Sequence, residues 1–262
     1  MWDNASTDGS SKLAREAAAN DERLRVFHAK NKTSLYEARN LALSHAAGQY
    51  VAFLDSDDLW SADKLDVAKS SLESSGASVF FSNFTVWDFA ADSKQPAYRT
   101  ALPKGNVLDI IAVNYPIAIS SVVIARSALA KINGPFDERF TIIGDFDLML
   151  HLATSEEFVN SNVPLVTYRH HAGNLSHTAR ARRRSEVAIW RDSKRIGAMS
   201  NSVIFNAQTS LEIDLILSDN KSSLNKLLRL LGLTKNPASW SLMASKLVWW
   251  LSNRPLLAKF FS

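Results

Sequence analysis

Tyr50-Val51-Ala52-Phe53-Leu54-Asp55-Ser56-Asp57-Asp58 joins a short apolar run to a cluster of three carboxylates, and its reading decides the fold. The apolar half is bounded and rich in strand formers, as a central parallel strand of an α/β sheet would be. Ligands of open α/β sheets collect outside the carboxyl ends of such strands. Three carboxylates within four residues repel one another unless a cation or solvent screens them, and Mg²⁺ or Mn²⁺ prefers oxygen ligands. The stretch therefore predicts a strand that delivers acids to a cation. A plainer alternative stands beside it: Asp57, Asp58 or Ser61 could cap the helix that Lys64-Leu65-Asp66-Val67-Ala68 continues.

Outward from this stretch, helices and strands alternate. Apolar spacing predicts helices over 10–20, 34–47, 61–74, 127–132 and 145–154, and strands over 24–27, 78–81 and 121–125. The polar, proline-containing texture from Trp87 to Gly105 predicts a loop excursion. Val163 to Tyr168 reads as an edge strand, with Pro164 tolerated near its start. From Arg180 to Ser262 only helices are legible, among them 202–217, 222–231 and 238–252. The expected organisation is an α/β domain over 1–179 and an appended helical region over 180–262.

Composition narrows the function classes. The chain has 262 residues, 46% of them hydrophobic and 21% charged, enough for a substantial core. With no cysteine, a disulfide framework, thiol catalysis and cysteine-held zinc are excluded, and a reducing compartment, the cytoplasm, is expected. No apolar run approaches the roughly 20 residues that span a bilayer, and Met1-Trp2-Asp3-Asn4 lacks the layout of a secretion signal. Much of the +4 net charge lies in Arg180, Arg182, Arg183 and Arg184, without interleaved aromatics that would stack bases, so no nucleic-acid partner is expected. Lys246 to Phe261 mixes Trp and Phe with Lys and Arg, as a peripheral helix at the inner face of a membrane would; docking onto a core explains it equally.

Five segments then fall in a telling order: Asp3-Asn4-Ala5-Ser6-Thr7-Asp8-Gly9-Ser10, Ala38-Arg39-Asn40, the Asp55 to Asp58 cluster, Gly134-Pro135-Phe136-Asp137-Glu138 with Gly144-Asp145-Phe146-Asp147-Leu148, and Tyr168-Arg169-His170-His171-Ala172-Gly173-Asn174-Leu175-Ser176. In this order the chain resembles the family-two glycosyltransferases of the GT-A fold, from Asp3 to Ser176. The resemblance implies a Rossmann-like, mixed, mostly parallel sheet. It implies a metal-dependent inverting enzyme that moves a sugar from a nucleoside-diphosphate sugar to a glycan or lipid-linked hydroxyl acceptor in polysaccharide biosynthesis. By similarity, Asp3 would contact the nucleotide base and Asp55 the nucleoside, with Arg39 also on the donor side. Asp57 would hold a divalent cation, Mn²⁺ or Mg²⁺, and His171 would be a further metal or diphosphate ligand. Asp145 would be the general base, although a residue at a helix start could equally be a cap.

Two departures accompany the resemblance. Family members begin with a strand and a helix ahead of the Asp-x-x-Ser-x-Asp loop, so the GT-A domain is expected to be truncated at its N-terminus. Gly144 stands where the family usually carries Glu, a residue expected to orient the base or the acceptor. A haloacid-dehalogenase-like phosphotransferase is the main competing class, since it too places Asp-x-Asp at a strand end. It should carry Thr or Val where this chain has Leu59, and it leaves the Asp3 and His171 segments without a role. A non-catalytic remnant of a glycosyltransferase is the other alternative.

Overall fold

The structure, a computed structural model, describes residues 1–171, 173–174, 180–191 and 199–217. Strand β1 (Trp2–Asp3) pairs in parallel with β2 (Phe27–His28), and α1 (Ser10–Ala19) lies between them in the chain. Helix α2 (Leu35–Ser44) leads to β3 (Tyr50–Ala52), β4 (Leu59–Trp60) and α3 (Lys64–Ser75). Strand β5 (Val79–Asp88) turns back as β6 (Ser93–Pro96), followed by α4 (Leu108–Val113) and a 3-10 turn at Ile119–Ser121. Then come β7 (Val123–Ala125), α5 (Arg126–Leu129), α6 (Gly144–Ala153) and β8 (Phe158–His170). Helices α7 (Arg180–Arg191) and α8 (Asn201–Leu217) complete the described chain.

The larger sheet runs β3-β7-β5-β8-β4, with β6 hydrogen-bonded to β5. Strands β5 and β8 are parallel, whereas β7 is antiparallel to both β3 and β5. Strands β3, β5 and β8 therefore point the same way, with β7 inserted in reverse. Helices cover both faces. Alternation along β5 sends Phe80 under α3 with Ala68, Leu72, Val123 and Leu165, and Val79 and Phe81 into the main core with Ile124, Phe146, Leu148 and Trp190.

Local chemistry explains the element ends. Ser34 caps α2 by accepting the Glu37 N–H at 3.2 Å, and Gly76 ends α3 at φ 72°, a left-handed conformation suited to glycine. Three expectations shift. The Tyr50 strand lies at the end of the described order beside an antiparallel neighbour, because a run buried on both faces does not reveal its neighbour's direction. The polar stretch after Trp87 is partly a β5–β6 hairpin. Strand β8 is interior and thirteen residues long, with Pro164 seated at a register irregularity opposite Asn83, where no ladder N–H is needed.

Helix α7 is fastened to the start of α6. The buried Glu186 carboxylate accepts the N–H groups of Thr141, Ile142 and Ile143 at 2.7, 2.8 and 3.2 Å, and the Trp190 ring packs 5.8 Å from Phe146. Among the described residues no helix is long and apolar enough to cross a membrane. The expected helices over 222–231 and 238–252, and the aromatic-basic stretch from Lys246, lie outside the described residues.

Candidate active site

The acids after β3 are held by three separate elements. Asp55 donates its backbone N–H to the buried Ser120 hydroxyl at 3.1 Å, and its carboxylate takes the Arg39 guanidinium from α2 at 2.5 Å. Arg169, near the end of β8, bonds the carbonyls of Ser56 and Asp57 and gives its own N–H to Asp58 Oδ1. Burial pushes the Asp58 carboxyl up to about 6, against the Ser120 hydroxyl and the Arg169 N–H, with Asp55 and Asp57 adding to the rise. Asp58 is thus a structural acid of the loop. None of these acids caps α3, whose N-cap residue is Asp63.

Asp57 and His171 come together although 114 positions separate them in the chain. His171 Nε2 lies 3.4 Å from Asp57 Oδ2, and Asn174 Nδ2 approaches the same oxygen at 3.4 Å. Both side chains remain about two-fifths exposed. The Gly173 N–H donates to His171 Nδ1 at 3.2 Å, which in a neutral ring leaves the proton on Nε2, facing Asp57. Glycine suits that place because a Cβ there would sit 3.1 Å from Nδ1.

Asp145 lies in the first turn of α6, past the N-cap residue Ile143. It accepts the Tyr36 hydroxyl at 3.3 Å and returns its own N–H to the same oxygen at 3.2 Å. Burial pushes its carboxyl up, while Arg39, the Phe146 N–H and Tyr36 pull it down. Helix α2 therefore serves two acids from one face: Tyr36 meets Asp145 and, three residues on, Arg39 meets Asp55. The Arg39 guanidinium also stacks 5.2 Å over the Tyr36 ring and 5.8 Å over Phe136.

Asp3 belongs to another cluster. Its side chain is 1% exposed and bonds the His28 ring and, at 3.2 Å, the Ser6 N–H. Ser6 holds the carboxyl below its usual range, against burial and with help from His28. Its contacts fix the turn that follows β1, and Asn4 ties that turn to Thr33 just ahead of α2.

Among the described residues no group of three or more His, Asp or Glu side chains forms a ready-made cation cage. The donor set still suits a hard divalent cation, because Mg²⁺-type ions commonly take one or two carboxylates and complete their shell with substrate phosphates and water. Asp57, whose carboxylate is about two-fifths exposed and, among the described residues, faces His171 rather than an arginine, is the carboxylate that fits.

The model of Glycosyl transferase family 2 matches residues 1–131, half of the chain. The chain belongs to glycosyl transferase family 2. It is 31% identical over 133 residues to TuaG of Bacillus subtilis, named as a teichuronic acid biosynthesis glycosyltransferase, covering 51% of this chain and 52% of that one. It is 28% identical over 116 residues to the Escherichia coli UDP-Glc:alpha-D-GlcNAc-diphosphoundecaprenol beta-1,3-glucosyltransferase WfgD, covering 44% of each. The chain thus spans about half the length of these curated relatives. Among solved structures, Pyrobaculum calidifontis mannosyltransferase PcManGT, in complex with GDP-Man and Mn²⁺, aligns with a TM-score of 0.58 at 19% identity over 99% of this chain and 72% of that one. Staphylococcus aureus TarS 1-349 with UDP-GlcNAc aligns at 0.54 and 16% identity, over 83% and 71%. At such identities the likeness is one of fold, and the fold is the GT-A fold the family leads one to expect.

Several residues at this family-two site went unassigned in the sequence. Arg169 and Asn174 lay inside a quoted segment but carried no role, and Ser120 and Glu186 gave no signal. Tyr36 had one: it sits one helical turn before Arg39.

Proposed function

We propose that this family-two protein is a metal-dependent inverting glycosyltransferase that moves a sugar from a nucleoside-diphosphate sugar to a hydroxyl acceptor in glycan or polysaccharide biosynthesis. The observation that carries this reading is the double engagement of α2. One helix face binds Asp55 on the donor side through Arg39 and Asp145 on the acceptor side through Tyr36.

The chemistry follows from those positions. Asp145, ionised, takes the proton from the acceptor hydroxyl as that oxygen attacks the anomeric carbon. The bond from that carbon to the diphosphate oxygen breaks from the opposite side, so configuration inverts and no enzyme nucleophile is needed. Asp55 and Arg39 orient the nucleoside part, and Asp3 shapes the base-side loop. Asp57 would hold the divalent cation, which when bound neutralises charge on the departing diphosphate. Of the two roles the resemblance offers His171, the Gly173 bond favours donation from Nε2–H to a diphosphate oxygen. By likeness to WfgD, the acceptor class is a lipid-linked glycan, reached at the inner face of a membrane. The phosphotransferase alternative leaves the pairing of His171 with Asp57 unused.

The deciding experiment is thermal-shift binding of UDP, GDP and TDP, with and without Mn²⁺, beside Asp57→Ala. One nucleotide should stabilise the wild type in a Mn²⁺-dependent way that disappears in Asp57→Ala. Stabilisation indifferent to both metal and Asp57 would overturn the metal assignment, and a retained anomeric configuration in the transfer product would overturn the mechanism.

A further inference from the structure

We propose that Tyr36 is the positioning residue of Asp145, its phenol occupying the room that Gly144 leaves beside the base. The inference rests on the reading of Asp145 as the base and adds to it a residue that the family resemblance does not assign.

The geometry is reciprocal. A Cβ on Gly144 would lie 2.5, 2.6 and 2.7 Å from Tyr36 Cε2, Cδ2 and Cζ, so no side chain fits at position 144 while the ring stays in place. The ring has little freedom to leave. It is 2% exposed, stacked 5.2 Å from Phe136 and covered on α2 by the Arg39 guanidinium. Position 144 is also where the resemblance expects a Glu that orients the base or acceptor. Here that side chain is absent and a phenol from another helix stands against the same backbone.

The phenol bonds Asp145 twice. Its O–H donates to Oδ1 at 3.3 Å and its oxygen accepts the Asp145 N–H at 3.2 Å. Those two bonds tie the carboxylate to its own backbone and limit its side-chain rotation. A tyrosine that only filled the core would place its hydroxyl at any convenient acceptor or at solvent. This one spends both hydrogen-bonding functions on a single acid of the proposed site.

The bond also bears on protonation. Asp145 is faced by Tyr36 and Arg39 from α2, Asp55 from the loop after β3, Tyr115 from the segment after α4, and the Phe146 N–H on its own helix. Burial raises its carboxyl, and the Arg39 guanidinium, the Phe146 N–H and the Tyr36 donor work against that rise.

The test uses the full chain labelled with [¹³C]carboxyl aspartate, the Asp145 resonance being the one lost in Asp145→Asn. In Tyr36→Phe the Asp145 midpoint should move up by about one pH unit. With 3-fluorotyrosine at position 36, a more acidic donor of nearly the same shape, it should move down, and this second protein decides the matter where Tyr36→Phe does not fold. A midpoint that moves in neither protein overturns the positioning role. The base reading fails separately: Asp145→Asn that still releases nucleoside diphosphate at the wild-type rate, from the sugar donor of whichever nucleotide stabilises the wild type, overturns it, whatever the titration shows. With both intact, the acidic limb of nucleoside-diphosphate release shifts with the Asp145 midpoint, which a purely packing role for Tyr36 would leave still.

Discussion

Trp190 donates its indole N–H to Asp147 Oδ1 at 3.0 Å, so a helix that follows β8 is bonded to the helix that carries Asp145. Glu186, about one turn earlier on α7, holds the three N–H groups at the entrance to α6. An anion there satisfies donors that a helix start leaves open and complements its dipole. The placement of Asp145 thus depends on α7 as well as on the sheet.

Glu186→Ala should therefore destabilise the protein by about 3 kcal/mol, because three N–H groups, that of Ile143 buried and those of Thr141 and Ile142 partly so, lose a buried charged acceptor. Glu186→Gln, which keeps one acceptor oxygen, should lose less. Urea unfolding with an unchanged m-value checks this. A loss below about 0.5 kcal/mol, typical of surface changes, would mean that α7 does not hold the start of α6.

This dependence on α7 was not legible beforehand, and the reason is physical. The start of α2 at Ser34 was legible, because a cap acts over three or four neighbouring residues. The Asp55 to Asp58 loop and the Asp145 helix start were legible for the same reason, as motifs confined to one stretch. Glu186 bonds residues more than forty positions away, and Tyr36 reaches Asp145 across 109. Nothing local marks either residue as a partner. Strand β8 failed in the opposite sense: Pro164 argued for an edge, but an irregularity opposite Asn83 lets an interior strand carry it.

Lys64→Met should stabilise the protein. Lys64 is fully buried, and its ammonium faces the Trp60 ring at 4.3 Å with no hydrogen-bond partner among the described residues. Burial lowers its pKa from an ordinary 10.5 to about 8. Between those two values the unfolded chain holds a proton that the native one has shed, so this lysine's penalty is full below pH 8 and fades as pH rises to 10.5. Methionine should gain about 2–3 kcal/mol at pH 7 and progressively less towards pH 10.5. Melting curves of both proteins across that range test it, and an advantage independent of pH would show that packing, not charge, is responsible.

Arg39→Lys should keep the fold and impair turnover. The arginine is 11% exposed and serves three partners at once: Asp55 by an ion pair, and the Tyr36 and Phe136 rings by stacking. An ammonium can pair with Asp55 but does not present a plane to the rings. Nucleoside-diphosphate release should fall by about tenfold or more, equivalent to roughly 1.4 kcal/mol of lost interaction, with the melting temperature changed little. Wild-type kcat/KM in Arg39→Lys would show that charge alone is sufficient there.

Gly144→Ala tests the fit between the glycine and the tyrosine ring. The added methyl would meet the Tyr36 ring at 2.5 Å, and the stacked Phe136 and the Arg39 guanidinium leave the ring no easy retreat. Overpacking of this kind costs about 1–3 kcal/mol. In a Tyr36→Ser background the same methyl enters space the ring has vacated, so its cost should disappear or reverse. The double-mutant cycle should give a coupling of about 1–3 kcal/mol of favourable sign. Additive effects would mean that Gly144 and Tyr36 are adjacent by accident, and the alanine's cost would then have to come from the α6 backbone itself.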